Sequence, residues 1–154
     1  MNNMKKMIHV LMVDDHPFIL QAYKNTLDRF KPDEYQIHIA NVDSAYAGYE
    51  TIMNAPRDFD IALLDISIPA YREKNIESGI DLALLIRDVM PKCKIVLLTM
   101  HTEKLRFKYF ADTIQPEGLV VKNDLTFEEL ILAFEKIVDG EKYYSETIIK
   151  MIHE

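Results

Sequence analysis

The sequence predicts an α/β domain built on a parallel sheet covered by helices on both faces. Three observations carry this: four strand-length aliphatic runs without strict alternation, amphipathic helical stretches between them, and a polar or charged residue directly after each run. With 154 residues, the chain is long enough for one domain with a substantial core and too short for two ordinary ones.

The runs are Ile8 to Val13, Ile61 to Leu64, Ile95 to Leu98 and Leu119 to Val121. A fifth run, Tyr35 to Ala40, alternates more regularly, as an edge strand does. The first helix is expected from Pro17 to about Phe30, with Pro17 at its first position and Ile19, Leu20, Tyr23, Leu27 and Phe30 on one side. The second runs from Ser44 to about Asn54, capped by Asp43 or Ser44 and ended before Pro56. Leu82, Leu85, Ile86 and Val89 at helical spacing define a third that stops at Pro91, and Glu103 to Asp112 gives a weaker fourth. The last long helix is capped by Thr126, carries Glu128 and Glu129 at its positive end, and shows an apolar stripe of Phe127, Leu130, Ile131, Phe134, Ile137 and Val138 up to Gly140. A short helix from Glu146 to Ile152 follows Ser145.

Composition narrows the function. Only 4 Gly and 6 Pro among well-spread charges argue for a globule rather than a disordered or fibrous chain. A net charge of -7 lacks the basic footprint of a nucleic-acid binder. Cys93 stands alone, so neither an internal disulfide nor a multi-thiolate metal site can form, and a small semi-buried hydrophobe is its simplest role. The apolar start from Met7 ends too early at Asp14 for a signal peptide, and no run spans a bilayer, so a cytoplasmic protein with no membrane partner is expected.

In an open parallel sheet, chemistry lies beyond the carboxyl ends of the strands. There the runs deliver Asp14 and Asp15, Asp65, Thr99 and Lys122. Each alone could simply mark where a strand leaves the core; three carboxylates, a hydroxyl and an ammonium converging together point to a site. Crowded carboxylates need a cation, and oxygen-only donors select a hard ion such as Mg2+ over zinc. Phosphoryl transfer is the chemistry such a set serves.

The segments Val13-Asp14-Asp15-His16-Pro17, Leu63-Leu64-Asp65-Ile66-Ser67-Ile68-Pro69, Leu98-Thr99 and Val120-Val121-Lys122 resemble, in that order and spacing, the receiver domain of bacterial two-component response regulators. The opening and the ending Gly140-Glu141-Lys142-Tyr143-Tyr144-Ser145 most resemble receivers of the LuxR/NarL type. The resemblance covers Met7 to Gly140 and implies a flavodoxin-like (βα)5 doubly wound sheet, strand order 2-1-3-4-5. It implies that Asp65 accepts phosphate from a sensor histidine kinase. Asp15, Asp65 and the Ser67 carbonyl are then Mg2+ ligands, Asp14 acts through a metal-bound water, Lys122 pairs with the phosphoryl group, and Thr99 hydrogen-bonds to it after transfer. Residues 1–142 are expected to form the receiver and 143–154 a linker start or short helix toward an output domain that is absent here. DNA binding would then reside in that helix-turn-helix domain, with homodimerisation on phosphorylation.

The sequence departs from the family pattern at three places. Leu119 stands three residues before the lysine where many receivers carry the aromatic switch residue; the segment from Ala70 to Ser78 is longer than usual; and Asn123 follows Lys122 where many have a cis proline. His101 and Ser67, two residues after Thr99 and Asp65, occupy positions that tune phosphate lifetime in the family, and His16 is expected near the site. The expectation is a switch rather than a turnover enzyme. Two alternatives stay open: a binding module that kept the fold and lost the switch, and a Mg2+-dependent phosphatase with an aspartyl-phosphate intermediate, although the latter usually places its two aspartates two residues apart.

Overall fold

Aliphatic runs buried on both sides form the centre of the sheet, because only strands sandwiched between helices can be apolar throughout. The computed structural model describes residues 4–100, 104–122 and 125–153. Strands β1 (Lys6–Val13), β2 (Tyr35–Val42), β3 (Ile61–Asp65), β4 (Lys94–Thr99), β5 (Gly118–Val121) and β6 (Tyr143–Tyr144) make a six-stranded sheet in the order β2-β1-β3-β4-β5-β6. All pairings are parallel. The expected order 2-1-3-4-5 is therefore present, with β2 at the edge, and a two-residue strand is added beyond β5. The fold is the flavodoxin-like α/β arrangement.

Helices α1 (Pro17–Leu27), α2 (Ala45–Asn54), α3 (Gly79–Val89), α4 (Lys104–Ile114), α5 (Phe127–Val138) and α6 (Glu146–His153) cover the two faces. Pro17 opens α1, where its missing N–H costs nothing. Ser44 rather than Asp43 caps α2, its hydroxyl accepting the Ala47 N–H at 3.1 Å, and Thr126 caps α5 by accepting from Glu129 N–H at 3.1 Å. Gly140, at φ 86°, lets the chain leave α5. Helix α1 is shorter than expected, ending at Leu27, yet Phe30 stays buried and meets Phe134 edge-on with ring centroids 5.0 Å apart.

One core, under α1 and α5, packs Val10, Met12, Leu63, Val96, Leu98 and Val120 against Leu20, Leu27, Leu130 and Phe134. The other, under α2, α3, α4 and α6, packs Leu11, Val13, Leu64, Leu97, Leu119 and Val121 against Ile52, Leu82, Ile86 and Ile148. Successive β residues feed opposite cores, as the pleat requires. Two stripe members differ from expectation. Phe127, in the first turn of α5, is 58 % exposed, and Val89 at the end of α3 is also exposed; Ala133 and Ala83 face the cores instead. Helical spacing alone cannot tell that a terminal turn overhangs the sheet edge.

The long segment after β3 is built, not loose. Tyr71 and Ile76 form an antiparallel bridge around a turn at Arg72–Lys74, with Asn75 in the left-handed region at φ 59°. Ile76 is buried, and the Tyr71 ring meets Tyr46 and Tyr49 of α2 edge-on at 5.0 and 5.8 Å. These contacts anchor the extra residues on α2. Cys93 is buried, and desolvation pushes its thiol up to about 12, consistent with a packing role. Among the described residues, no helix is long and apolar enough to cross a membrane.

Candidate functional site

The parallel register brings the carboxyl ends of β1, β3, β4 and β5 to one edge. Asp65 is the last residue of β3 and pairs with Leu98, one residue before Thr99; Thr99 in turn pairs with Val121, one residue before Lys122. Asp14 directly follows Val13, which pairs with Leu64. Asp14, Asp65, Thr99 and Lys122 are all buried.

At the centre is the Lys122 ammonium. Its Nζ donates to Asp14 Oδ2 at 2.6 Å and to Asp65 Oδ2 at 3.1 Å, bridging strands that lie far apart in sequence. Asp65 Oδ1 accepts the Ser67 N–H at 3.0 Å, which leaves the Ser67 side chain exposed at the rim. Asp14 Oδ1 accepts both the backbone N–H of His16 at 2.9 Å and its ring Nδ1 at 2.8 Å. The same ring nitrogen lies 3.1 Å from Asp15 Oδ1, and Asp15 is exposed. His16 therefore sits within the site, as expected.

Electrostatics follow from burial. Desolvation raises the Asp65 pKa above the ordinary carboxylate value, outweighing the Lys122 ammonium and the Ser67 N–H that pull it down. Burial also works against the charge on Lys122, but hydrogen bonds to Asp14 and Asp65 outweigh it and hold that pKa above normal. The result is a carboxylate made energetically uncomfortable beside a firmly charged lysine.

Sequence reasoning missed what Gly79 does. A Cβ at Gly79 would lie 2.2 Å from the backbone oxygen of Asp65, and the Gly79 N–H donates to Ile66 O at 2.9 Å. Helix α3 can approach the end of β3 this closely only because that position has no side chain. The available signal was a lone glycine opening the third helix. Phe18, in the first turn of α1, is 89 % exposed.

A sequence profile described as the response regulator receiver domain matches residues 10–132. The chain belongs to this receiver family. It is thus a receiver domain of two-component signalling. It is 28 % identical over 145 residues to the transcriptional regulatory protein MctR of Rhizobium johnstonii, an alignment covering 92 % of this chain and 60 % of MctR. It is 26 % identical to the transcriptional regulatory protein RcsB of Escherichia coli, covering 99 % of this chain and 64 % of that protein. The chain thus spans less than two thirds of these relatives. Among solved structures, a LuxR-family two-component response regulator from Aurantimonas shares 25 % identity, with a TM-score of 0.76 and 96 % of both chains covered. The isolated receiver domain of RcsB from Salmonella, solved with the phosphomimetic BeF3-, matches in fold with a TM-score of 0.78 at 20 % identity, covering 95 % of this chain and 99 % of that one.

Receivers bind Mg2+ at an acidic pocket, and the residues here fit that ion. One ligand atom from each of Asp14, Asp15, His16 and Asp65 lies within 4.8 Å of the others. Carboxylate oxygens dominate the set, which suits a hard cation. Of the receiver positions marked in the sequence, Asp14, Asp15, Asp65, Ser67, Thr99 and Lys122 gather at this edge. Leu119 is fully buried in β5, between Leu97 and Tyr144. His101 and the bond from Lys122 to Asn123 lie outside the described residues; among the described residues no peptide bond is cis.

Proposed function

We propose that this receiver is a phosphorylatable switch in which Asp65 accepts a phosphoryl group from the phosphohistidine of a sensor kinase. The observation that carries this reading is the buried Lys122 bridge to Asp14 and Asp65, with the exposed Asp15 carboxylate close to both aspartates. A carboxylate oxygen of Asp65 attacks phosphorus, the P–N bond to the kinase imidazole breaks, and that imidazole keeps the electron pair. Lys122 then exchanges its carboxylate partner for a phosphoryl oxygen, and Thr99 donates its hydroxyl to another. Asp15, Asp65 and the Ser67 carbonyl would hold Mg2+, with Asp14 acting through a bound water. When bound, the ion supplies positive charge that offsets the repulsion between the carboxylates and the incoming phosphoryl group. Ser67 and His101 tune the lifetime of the adduct, and the exposed Phe18 offers an apolar contact for the kinase.

The product is a change in population rather than a turnover, so the chain works as a switch and not as an enzyme. By likeness to the transcriptional regulators it matches, its output is transcription, through a DNA-binding domain of a longer protein. Residues 1–142 then act as the receiver of a cytoplasmic regulator, with residues 143–154 leading toward that domain and phosphorylation promoting a homodimer.

Mass spectrometry after treatment with acetyl phosphate and Mg2+ tests this. One stoichiometric, alkali-labile adduct is expected, absent from Asp65→Ala and without Mg2+. An unmodified parent protein would sink the reading, and multiple turnover of an aryl phosphate would favour a phosphatase.

A further inference from the structure

Residues 143–153 add to the far edge of the sheet. Tyr143 N–H donates to Glu117 O at 2.9 Å and Ser145 N–H to Leu119 O at 3.0 Å, so β6 closes the free edge of β5. The Tyr144 hydroxyl donates to Pro116 O at 2.9 Å. Helix α6 then lies against α4 and β5, burying Ile148 completely and Met151 and Ile152 in part. Leu119, where an aromatic switch residue was expected to be missing, is therefore covered by this segment and paired with Tyr144.

The segment also reaches toward the phosphorylation site. Ser145 is buried, and its Oγ accepts the Val121 N–H at 3.3 Å. Val121 immediately precedes Lys122 and pairs with Thr99 on β4. One peptide unit thus separates the ammonium that holds Asp65 from the hydroxyl that holds the tail.

We propose that residues 143–153 are a latch docked on β5, loosened by phosphorylation at Asp65, with the Ser145 hydroxyl as the coupling point. This rests on Asp65 being the acceptor. When Lys122 and Thr99 turn to a phosphoryl group, the carboxyl end of β5 shifts together with that of its neighbour β4, which carries Thr99. The contact at 3.3 Å is already near the limit of a hydrogen bond, so a small pull breaks it and leaves the Val121 N–H seeking another partner. The latch can respond because its elements are short and depend on docking. A strand of two residues and a helix of eight, with Ile148 its one fully buried side chain, do not persist without docking. Loosening exposes the β5 edge and frees the chain that leads away from the domain. Ser145 is a positioning residue here, acting through Val121.

Hydrogen exchange on the whole chain, with and without saturating Mg2+ and BeF3-, tests the idea. Exchange at the Tyr143, Ser145, Ile148 and Ile149 amides is expected to rise about tenfold with the phosphoryl mimic. By reciprocity, Ser145→Ala and Ile148→Ala, which weaken the latch independently, should each bind BeF3- about threefold more tightly, while Glu146→Ala on the exposed side of α6 should not change affinity. If BeF3- binds in an Asp65-dependent way but exchange in the tail is unchanged or slower, the latch is wrong and the acceptor reading survives. If BeF3- does not bind at all, both fall.

Discussion

The two ends of the sheet both carry charged side chains and use them differently. At the amino ends, charges serve the backbone of neighbouring elements. Asp60 Oδ2 accepts the His9 N–H at 2.8 Å, Lys94 Nζ donates to Ile137 O at 2.8 Å, and Glu117 Oε1 accepts from both Ile95 N–H at 2.8 Å and Arg87 at 2.9 Å. At the carboxyl ends, Asp14 and Asp65 are buried and share a single lysine. The amino end spends charge on holding the fold together. The carboxyl end stores charge that the fold would do better without, which is the mark of a site kept for chemistry.

Removing Lys122 should expose this difference most sharply. Lys122→Met leaves Asp14 and Asp65 buried with no countercharge, so a loss of about 3–5 kcal/mol is expected in urea unfolding, together with loss of phosphoryl acceptance. A variant as stable as the parent would mean the carboxylates already carry a shared proton. At the amino end, Glu117→Ala removes the acceptor of a half-buried N–H and the partner of Arg87, for about 2 kcal/mol. That variant should accept phosphate at the parental rate, because nothing at Glu117 touches the site.

How far the sequence revealed these two ends differs for a physical reason. The carboxyl end was legible because parallel strands must deliver the residues after their aliphatic runs to one edge, which placed Asp14, Asp65, Thr99 and Lys122 before any contact was seen. The caps came from equally local chemistry, Thr126 outright and Ser44 as one of two candidates with Asp43, whereas the sheet order came only from the family resemblance. What stayed hidden depends on distant partners: that Gly79 must lack a side chain because Asp65 O is beside it, that Phe127 overhangs the core, and that Tyr143-Tyr144 extends the sheet. A two-residue strand has no periodicity to detect. The residues from Ala70 to Ser78 read as a polar insertion because their anchors, Tyr71 and Ile76, are separated by charges.

Neutralising Asp65 should go the opposite way to removing the lysine. Asp65→Asn keeps the shape and lowers the crowding of negative charge, so a gain of about 1 kcal/mol at neutral pH is expected from thermal unfolding. The pH dependence fixes the sign. Because the Asp65 pKa is raised in the folded state, the native protein holds this proton more tightly than the unfolded chain does. Wild-type stability therefore falls as pH rises from the ordinary value of 3.8 through the raised one, and the Asn variant's advantage is present above that window and vanishes below it. An advantage unchanged at acid pH would place its origin in packing.

The smallest effect should come from the cation. If Mg2+ binds only the folded protein, a concentration equal to its dissociation constant stabilises by ~0.4 kcal/mol, rising with the logarithm of further additions. Asp15 is the informative partner because it is exposed and contributes no hydrogen bond to Lys122. Asp15→Asn should leave the metal-free melting temperature near the parental value and remove most of its rise with Mg2+. The same substitution cannot relieve the buried pair, so a large gain in metal-free stability would show that Asp15 belongs to the crowded carboxylates. Its charge would then be part of what the carboxyl end stores, rather than a ligand held ready at its rim.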